Sequence, residues 1–316
     1  MPRRIPLPPR LTGTAFRVDE HRFHGLTPDR LRSRDLQRPS HGVRSVGLDL
    51  DSLLGRCDGL RPVLGERHVF SHVTAARLWG VPLPRALEAD AHPLHVSSLG
   101  GTRMRRDGVV GHELDAGTPV ELAPAGLFAV AASATWCHLA EAAAHRTIRF
   151  GVDALVAAGD ALVSGRRVPG GGRTRPLCSV DDLRQAVIRH GARRGARLLA
   201  EALPRIRVGV DAPTETRLRL AIVDAGLPEP EIGVEVDTPE GTMHPDLCYV
   251  AARIAFEYEG EHHREDVHQW RYDFVRVRAL QSVGWLVIRV NADDLATPAA
   301  RTLLASQIRR SLAVRT

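Results

Sequence analysis

Read for the spacing of its apolar positions, the chain changes texture at about residue 211. In "APTETRLRLAIVDAGLPEP", Leu218 and Ile222 follow Glu215 at i+3 and i+7, which predicts one helix ended by Gly226 and Pro228. "EIGVEVDTPEGTMHPDLCYV" predicts a hairpin turning at "TPEG". "RIAFEYEG" alternates, with Ile254, Phe256 and Tyr258 on one face and Ala255, Glu257 and Glu259 on the other. "DVHQWRYDFVRVRALQSVG" then predicts a helix and "WLVIRVN" a strand. The order helix–β–β–β–helix–β describes a compact mixed sheet with helices packed on it, an α/β unit (α+β overall) over 211–316.

Three zones precede it. In 1–60, "LTPDRLRSRDL" predicts a short helix capped by Thr27, with Pro28 at its first position and Asp29 on the favourable end of its dipole. "HGVRSV" predicts a strand, and the order suggests a small winged-helix-like unit. In 61–125, "SHVTAARLWGVPLP" predicts a helix opened by Ser71 and closed by Gly80. "PLHVSS" and "DGVVGHEL" predict strands joined by the basic turn "GGTRMRRDG", giving a small α+β unit. Residues 126–205 are alanine-rich and predict a helical connector, interrupted at 164–176 by "SGRRVPGGGRTRP", expected as a mobile loop.

Composition narrows the classes. A chain of 316 residues with 43% hydrophobic and 25% charged residues is ordinary soluble protein with room for several cores. No apolar run reaches the roughly 18 residues of a membrane span, and the basic opening "MPRRIPLPPRL" lacks the apolar segment of a secretory signal. The expectation is a cytoplasmic protein with no membrane partner. Cys57, Cys137, Cys178 and Cys248 are scattered without a C-x-x-C pair, against both a disulfide framework and a cysteine zinc site. The net charge is +6, and all 43 basic residues are arginine. A basic, arginine-bearing surface attracts polyanions, although a GC-rich genome alone would also favour arginine over lysine.

Carboxylates carry the candidate chemistry. Mid-strand carboxylates are unfavourable unless paired or bound to a cation. If 242–249 forms the neighbouring strand, Asp246 of "HPDL" lies beside Glu257, and Glu215 is aimed at the same sheet. Converging carboxylates with water make an oxygen-rich site for Mg²⁺, with Mn²⁺ as an alternative, able to activate water at a phosphodiester. The competing readings are a first-turn glutamate favouring its helix dipole for Glu215, a Pro-Asp turn for Asp246 and a solvated strand end for Glu259. His262 and His263 follow at the strand exit and can position water or complete a metal site, or simply lie in solvent. Arg264, Gln269 and Arg271 are candidate phosphate contacts, or a solvated face.

"APTETRLRLAIVDAGLPEPEIGVEV", "HPDLCYV", "IAFEYEGEHHR", Asp273-x-x-Arg276 and "GWLVIRV" together resemble a domain of unknown function related to very-short-patch-repair endonucleases, within the restriction-endonuclease-like PD-(D/E)-x-K superfamily. The resemblance covers about 211–300. It implies that Glu215, Asp246 and Glu257 match the acidic metal site, and that Glu259 stands where the motif lysine would be. The chain has no lysine to replace it; repair endonucleases of this kind also lack it and use nearby histidines, which implies a role for His262 or His263. "HGLTPDRLRSRDLQRPSHGVRSV" and "FSHVTAARLWGVPLP", with "LHVS" and "HEL", resemble AbiEi-type antitoxins of type IV toxin–antitoxin systems. That resemblance implies a DNA-binding winged helix offering Arg30, Arg32 and Arg34 to DNA, and a cognate toxin protein as a further partner. The combined expectation is a DNA-binding protein with a metal-dependent endonuclease domain. The alternative is a non-catalytic regulator whose nuclease fold is degenerate.

Overall fold

A computed structural model describes residues 6–89, 92–144, 150–168, 172–259 and 267–315, with 267–274 described for the backbone alone. The fold is mixed α and β, its sheets flanked by helices, and it divides into two units, Met1–Arg149 and Phe150–Thr316. The boundary falls inside the stretch expected as one helical connector, so 126–205 is shared between the two.

In the first unit β1 (Ala15–Arg17) pairs antiparallel with β2 (Val43–Ser45), and between them lies α1 (Pro28–Leu31). Thr27 Oγ1 accepts the Arg30 N–H at 3.2 Å, the cap expected from sequence. α2 (Leu53–Leu60) follows, with Gly55 obligatory because a Cβ there would lie 1.9 Å from the Asp49 carbonyl oxygen. The next elements are β3 (His68–Phe70), α3 (His72–Leu78), α4 (Arg85–Glu88), β4 (Leu94–Leu99), β5 (Val109–Leu114), β6 (Val120–Leu122), β7 (Phe128–Val130) and α5 (Ala132–Ala144). The strands form one sheet in the order β5-β4-β3-β7-β6. β4 and β5, joined by the basic "GGTRMRRDG" segment, run parallel, with Leu94 opposite Val109 and Leu99 opposite Leu114. The segment therefore returns along the strand pair, and Gly111 makes room for it: a Cβ would sit 2.0 Å from the Met104 oxygen. Trp79 and Trp136 are buried beside this sheet, the Trp79 indole donating to the Val130 carbonyl at 2.9 Å.

The second unit opens with α6 (Val152–Ser164), α7 (Val180–His190), α8 (Ala196–Ala202) and α9 (Pro213–Asp224). The hairpin β8 (Val236–Thr238) and β9 (Gly241–Met243) turns within "TPEG" as expected. Then come β10 (Leu247–Tyr249), β11 (Ile254–Glu259), α10 (Val267–Ser282), β12 (Leu286–Asn291), α11 (Ala292–Ala296) and α12 (Pro298–Arg315). β11 is the central strand, antiparallel to β10 and parallel to β12, and α10 makes the crossover that a parallel pair needs. The period-2 reading of "IAFEYE" holds. Ile254 and Phe256 join Leu218 and Ile222 of α9 and Leu304 and Ile308 of α12 in one core, while Ala255 packs with Ala279 and Leu280 of α10 on the other face.

The 164–176 stretch, expected as a mobile loop, is fastened on both sides of the undescribed residues 169–171. Arg173 donates to the carbonyls of Ser164 (2.8 Å) and Val210 (3.0 Å) and pairs with Asp211 at 2.6 Å. Arginine has five donors, enough to hold several backbone oxygens at once, a capacity that a count of Gly, Pro and Arg does not convey.

Candidate functional site

Asp246 stands one residue before β10. Since Leu247 is opposite Phe256, the same antiparallel register carried one step further sets Asp246 opposite Glu257. The Tyr258 N–H donates to Asp246 Oδ2 at 2.7 Å and fixes that carboxylate at the strand end. Glu257, 4% exposed, emerges on the face covered by α10, where Arg276 donates to its Oε2. The same Arg276 Nη2 is 3.7 Å from Asp246 Oδ1, so the two carboxylates meet at one guanidinium nitrogen. Glu257 Oε1 and Arg276 Nε remain buried without a hydrogen-bond partner.

Glu215 lies in the first turn of α9 and is 6% exposed. Its Oε2 accepts the Asp211 N–H at 3.0 Å, so the helix-start reading is correct for that oxygen. Burial, followed by the charge of Asp246, pushes its carboxyl up to about 8. The contribution of Asp246 sets the two side chains within electrostatic reach of one another. Glu215, Asp246 and Arg276 line a cleft of about 500 Å³ together with Arg166, Arg167 and His244.

The scaffold beneath the cleft is ionic as well. Asp160 of α6 and Arg219 of α9 are buried and joined at 2.9 Å. Asp160 also accepts from the Thr216 hydroxyl and the Arg207 N–H, both at 2.7 Å, while Arg219 reaches Glu229 at 2.9 Å. This network ties α9, and with it Glu215, to the helical layer. Burial raises the Asp160 carboxyl, against the opposing pull of Arg219.

Asp246 is the shared neighbour of the other two acids: it meets Glu257 at Arg276 and lines the cleft with Glu215, while the three together do not bring one ligand atom each within 4.8 Å of one another. Glu259 does not join them: it is engaged by Arg289 of the adjacent strand. His262, His263 and Arg264 lie outside the described residues, and Gln269 and Arg271 lie on the part of α10 whose side chains are not described. Arg30 requires correction as a DNA contact. It is 5% exposed and held by both carboxylate oxygens of Asp35, at 2.9 and 2.8 Å, because the helix is one turn long and tucks that side chain under itself. Arg32 is exposed, pairing with Asp29 at 3.1 Å, and Arg34 is exposed beyond the end of α1. Arg276 was present in the Asp273-x-x-Arg276 pattern but was given no role. Its signal was its position on the helix that crosses over β11. Sequence reasoning also passed over His72, His95 and His112, each noted only as part of an element.

Glu257 Oε1 offers an oxygen that no protein donor uses, but among the described residues the three acids do not bring one ligand atom each within 4.8 Å of one another. A hard cation, which takes oxygen ligands, fits here only if Arg276 gives way and the acids draw together.

No family model matches the chain, and no solved structure matches it. Two uncharacterized proteins of Mycobacterium tuberculosis, MT2308 of strain CDC 1551 / Oshkosh and Rv2248 of strain ATCC 25618 / H37Rv, are each 31% identical to it over 137 residues. The match takes in 43% of this chain and 49% of each relative, so the chain spans about half the length of the curated relatives it matches. Among the described residues no helix is long and apolar enough to cross a membrane.

Proposed function

We propose that the second unit is a nuclease-like domain that hydrolyses phosphodiester bonds of DNA with a bound divalent cation. The observation that carries this reading is the meeting of Asp246 and Glu257 at Arg276, with Glu215 lining the same cleft as Asp246 and Arg276. Asp246 and Glu257 are the ligands for Mg²⁺ or Mn²⁺, with Glu215 in support. When bound, the cation polarises the phosphate and lowers the pKa of attacking water. Arg276, released from the acids, has the planar fork that suits a phosphate, and Arg166 and Arg167 add positive charge along the cleft.

A second reading is favoured by the same arginine. Arg276 already neutralises the acids, and Glu259 is tied to Arg289. A domain so arranged could bind DNA as a regulator, with a toxin protein as a further partner, and cut nothing.

Incubating the purified full chain with supercoiled plasmid and Mg²⁺ or Mn²⁺ separates the two. Nicking that disappears in Glu257→Gln is expected on the first reading. DNA left uncut with either ion, or full cleavage by Glu257→Gln, overturns it. Salt-dependent binding to specific DNA without cleavage is the result that establishes the second.

A further inference from the structure

We propose that the first unit carries a transition-metal site of the Zn²⁺ class, ligated by His72, His95 and His112. It is separate from the acidic site in residues, unit and donor chemistry.

The three histidines come from three neighbouring elements. His72 opens α3, His95 lies on β4, and His112 lies on β5 opposite Ser97, two residues along from His95. Alternation along the parallel pair puts His95 and His112 on one face of the sheet. One ligand atom from each of the three lies within 4.8 Å of the others. His95 Nδ1 and His112 Nε2 are 3.0 Å apart, while nitrogens about 2.0–2.1 Å from a tetrahedral Zn²⁺ lie about 3.3 Å from each other. Small ring movements convert this contact into one edge of a coordination shell.

Three features suit a ligand set better than plain packing. First, His72 adopts φ 50, a left-handed conformation uncommon outside glycine, and this strained backbone delivers its ring into the cluster. Second, His95 turns its Nδ1 to the His112 Nε2, so two ring nitrogens already face one another inside the cluster. Third, His72 Nδ1 is hydrogen-bonded to Ser71 Oγ at 3.0 Å, and that oxygen accepts from Ser97 at 2.6 Å. An outer partner of this kind fixes the orientation of a ligating imidazole and leaves its Nε2 as the donor. His72 Nε2 in turn lies 4.0 Å from Glu141 Oε2 of α5, outside the three-histidine group.

Protonation does not stand in the way. Burial, reinforced by the neighbouring imidazoles, lowers His72 well below the usual histidine range and His95 to about 3; burial lowers His112 to about 4. The rings are neutral in the physiological range, the form that binds a metal. Three imidazoles, with water in a fourth position, select Zn²⁺ and its neighbours over Mg²⁺ or Ca²⁺. Each lone pair lies in its ring plane, so the stacked His72 and His112 rings, 3.7 Å apart, must splay on loading.

The test uses the full, untagged chain stripped of metal. Titration with Zn²⁺ against a chromophoric chelator is expected to show one tightly held ion per chain. His95→Gln and His112→Gln should each weaken it at least tenfold, while exposed His41→Gln and the acidic-site variant Glu257→Gln leave it unchanged. Co²⁺ bound to the unsubstituted chain should give the intense visible absorption of a four-coordinate site, a readout that needs no variant to fold. Failure to retain a stoichiometric ion, unchanged uptake by both histidine variants, or the weak spectrum of six-coordinate Co²⁺ would each overturn the proposal.

Discussion

Asp160 and Glu257 are both buried carboxylates that face an arginine in the same unit, and they are satisfied to different degrees. Both oxygens of Asp160 are used, one by the Arg207 N–H and the other by Thr216 and Arg219. Glu257 has one oxygen on Arg276 and one on nothing, and its arginine is shared with Asp246. A buried charge network with every acceptor filled is scaffold, since removing any member leaves an uncompensated charge. One left partly open keeps the capacity to take a ligand. Both pairs bury the acid; the unused oxygen, with an arginine that is 21% exposed in one and 1% in the other, tells them apart.

Substitutions can break or sharpen that contrast. Asp160→Ala should have the largest effect, removing the buried counter-ion of Arg219 and leaving it only the partly exposed Glu229, at a loss of about 3–5 kcal/mol in denaturant unfolding, with no recovery on adding divalent cation. Arg276→Gln should lose about 1–3 kcal/mol in the absence of ions. Millimolar Mg²⁺ or Mn²⁺ should restore part of this in thermal unfolding, and an Arg276→Gln chain indifferent to the ions would place Glu257 with the scaffold.

Glu215→Gln tests the pH arm. Because burial and Asp246 raise the folded carboxyl from 4.5 to about 8, its contribution is fully present below about 4.5. That contribution is lost as pH climbs to about 8, the unfolded chain giving up its proton first. The native chain should therefore lose stability across this window, and the variant should show a flatter melting-temperature profile. Arg289→Gln should change stability least, by under about 1 kcal/mol, because its pair with Glu259 is half in solvent.

Most of the second unit was legible because its signals are local. Alternation in "IAFEYE" fixed the two faces of β11, the i+3 and i+7 spacing set α9, and "TPEG" marked the hairpin. Asp246 beside Glu257 followed from counting residues across an antiparallel pair. What stayed hidden depends on contacts between distant segments. Arg276 meets Glu257 only after α10 has crossed the sheet, and Asp160 meets Arg219 across 59 residues. Arg30 misled because a one-turn helix has no fixed outer face, and Asp35, five residues on, drew the side chain inward. The parallel pairing of β4 and β5 was likewise invisible, since a short basic connection reads as a hairpin turn until the register is known.

Arg276 acts as a counter-ion attached to the chain it neutralises. The acids are thereby accompanied without any ion. On the proposed reading, an incoming cation would have to exchange with a competitor that is always present at the high effective concentration of a tethered group. The threshold for binding would then be set by how readily α10 lets its guanidinium swing away, rather than by the carboxylates.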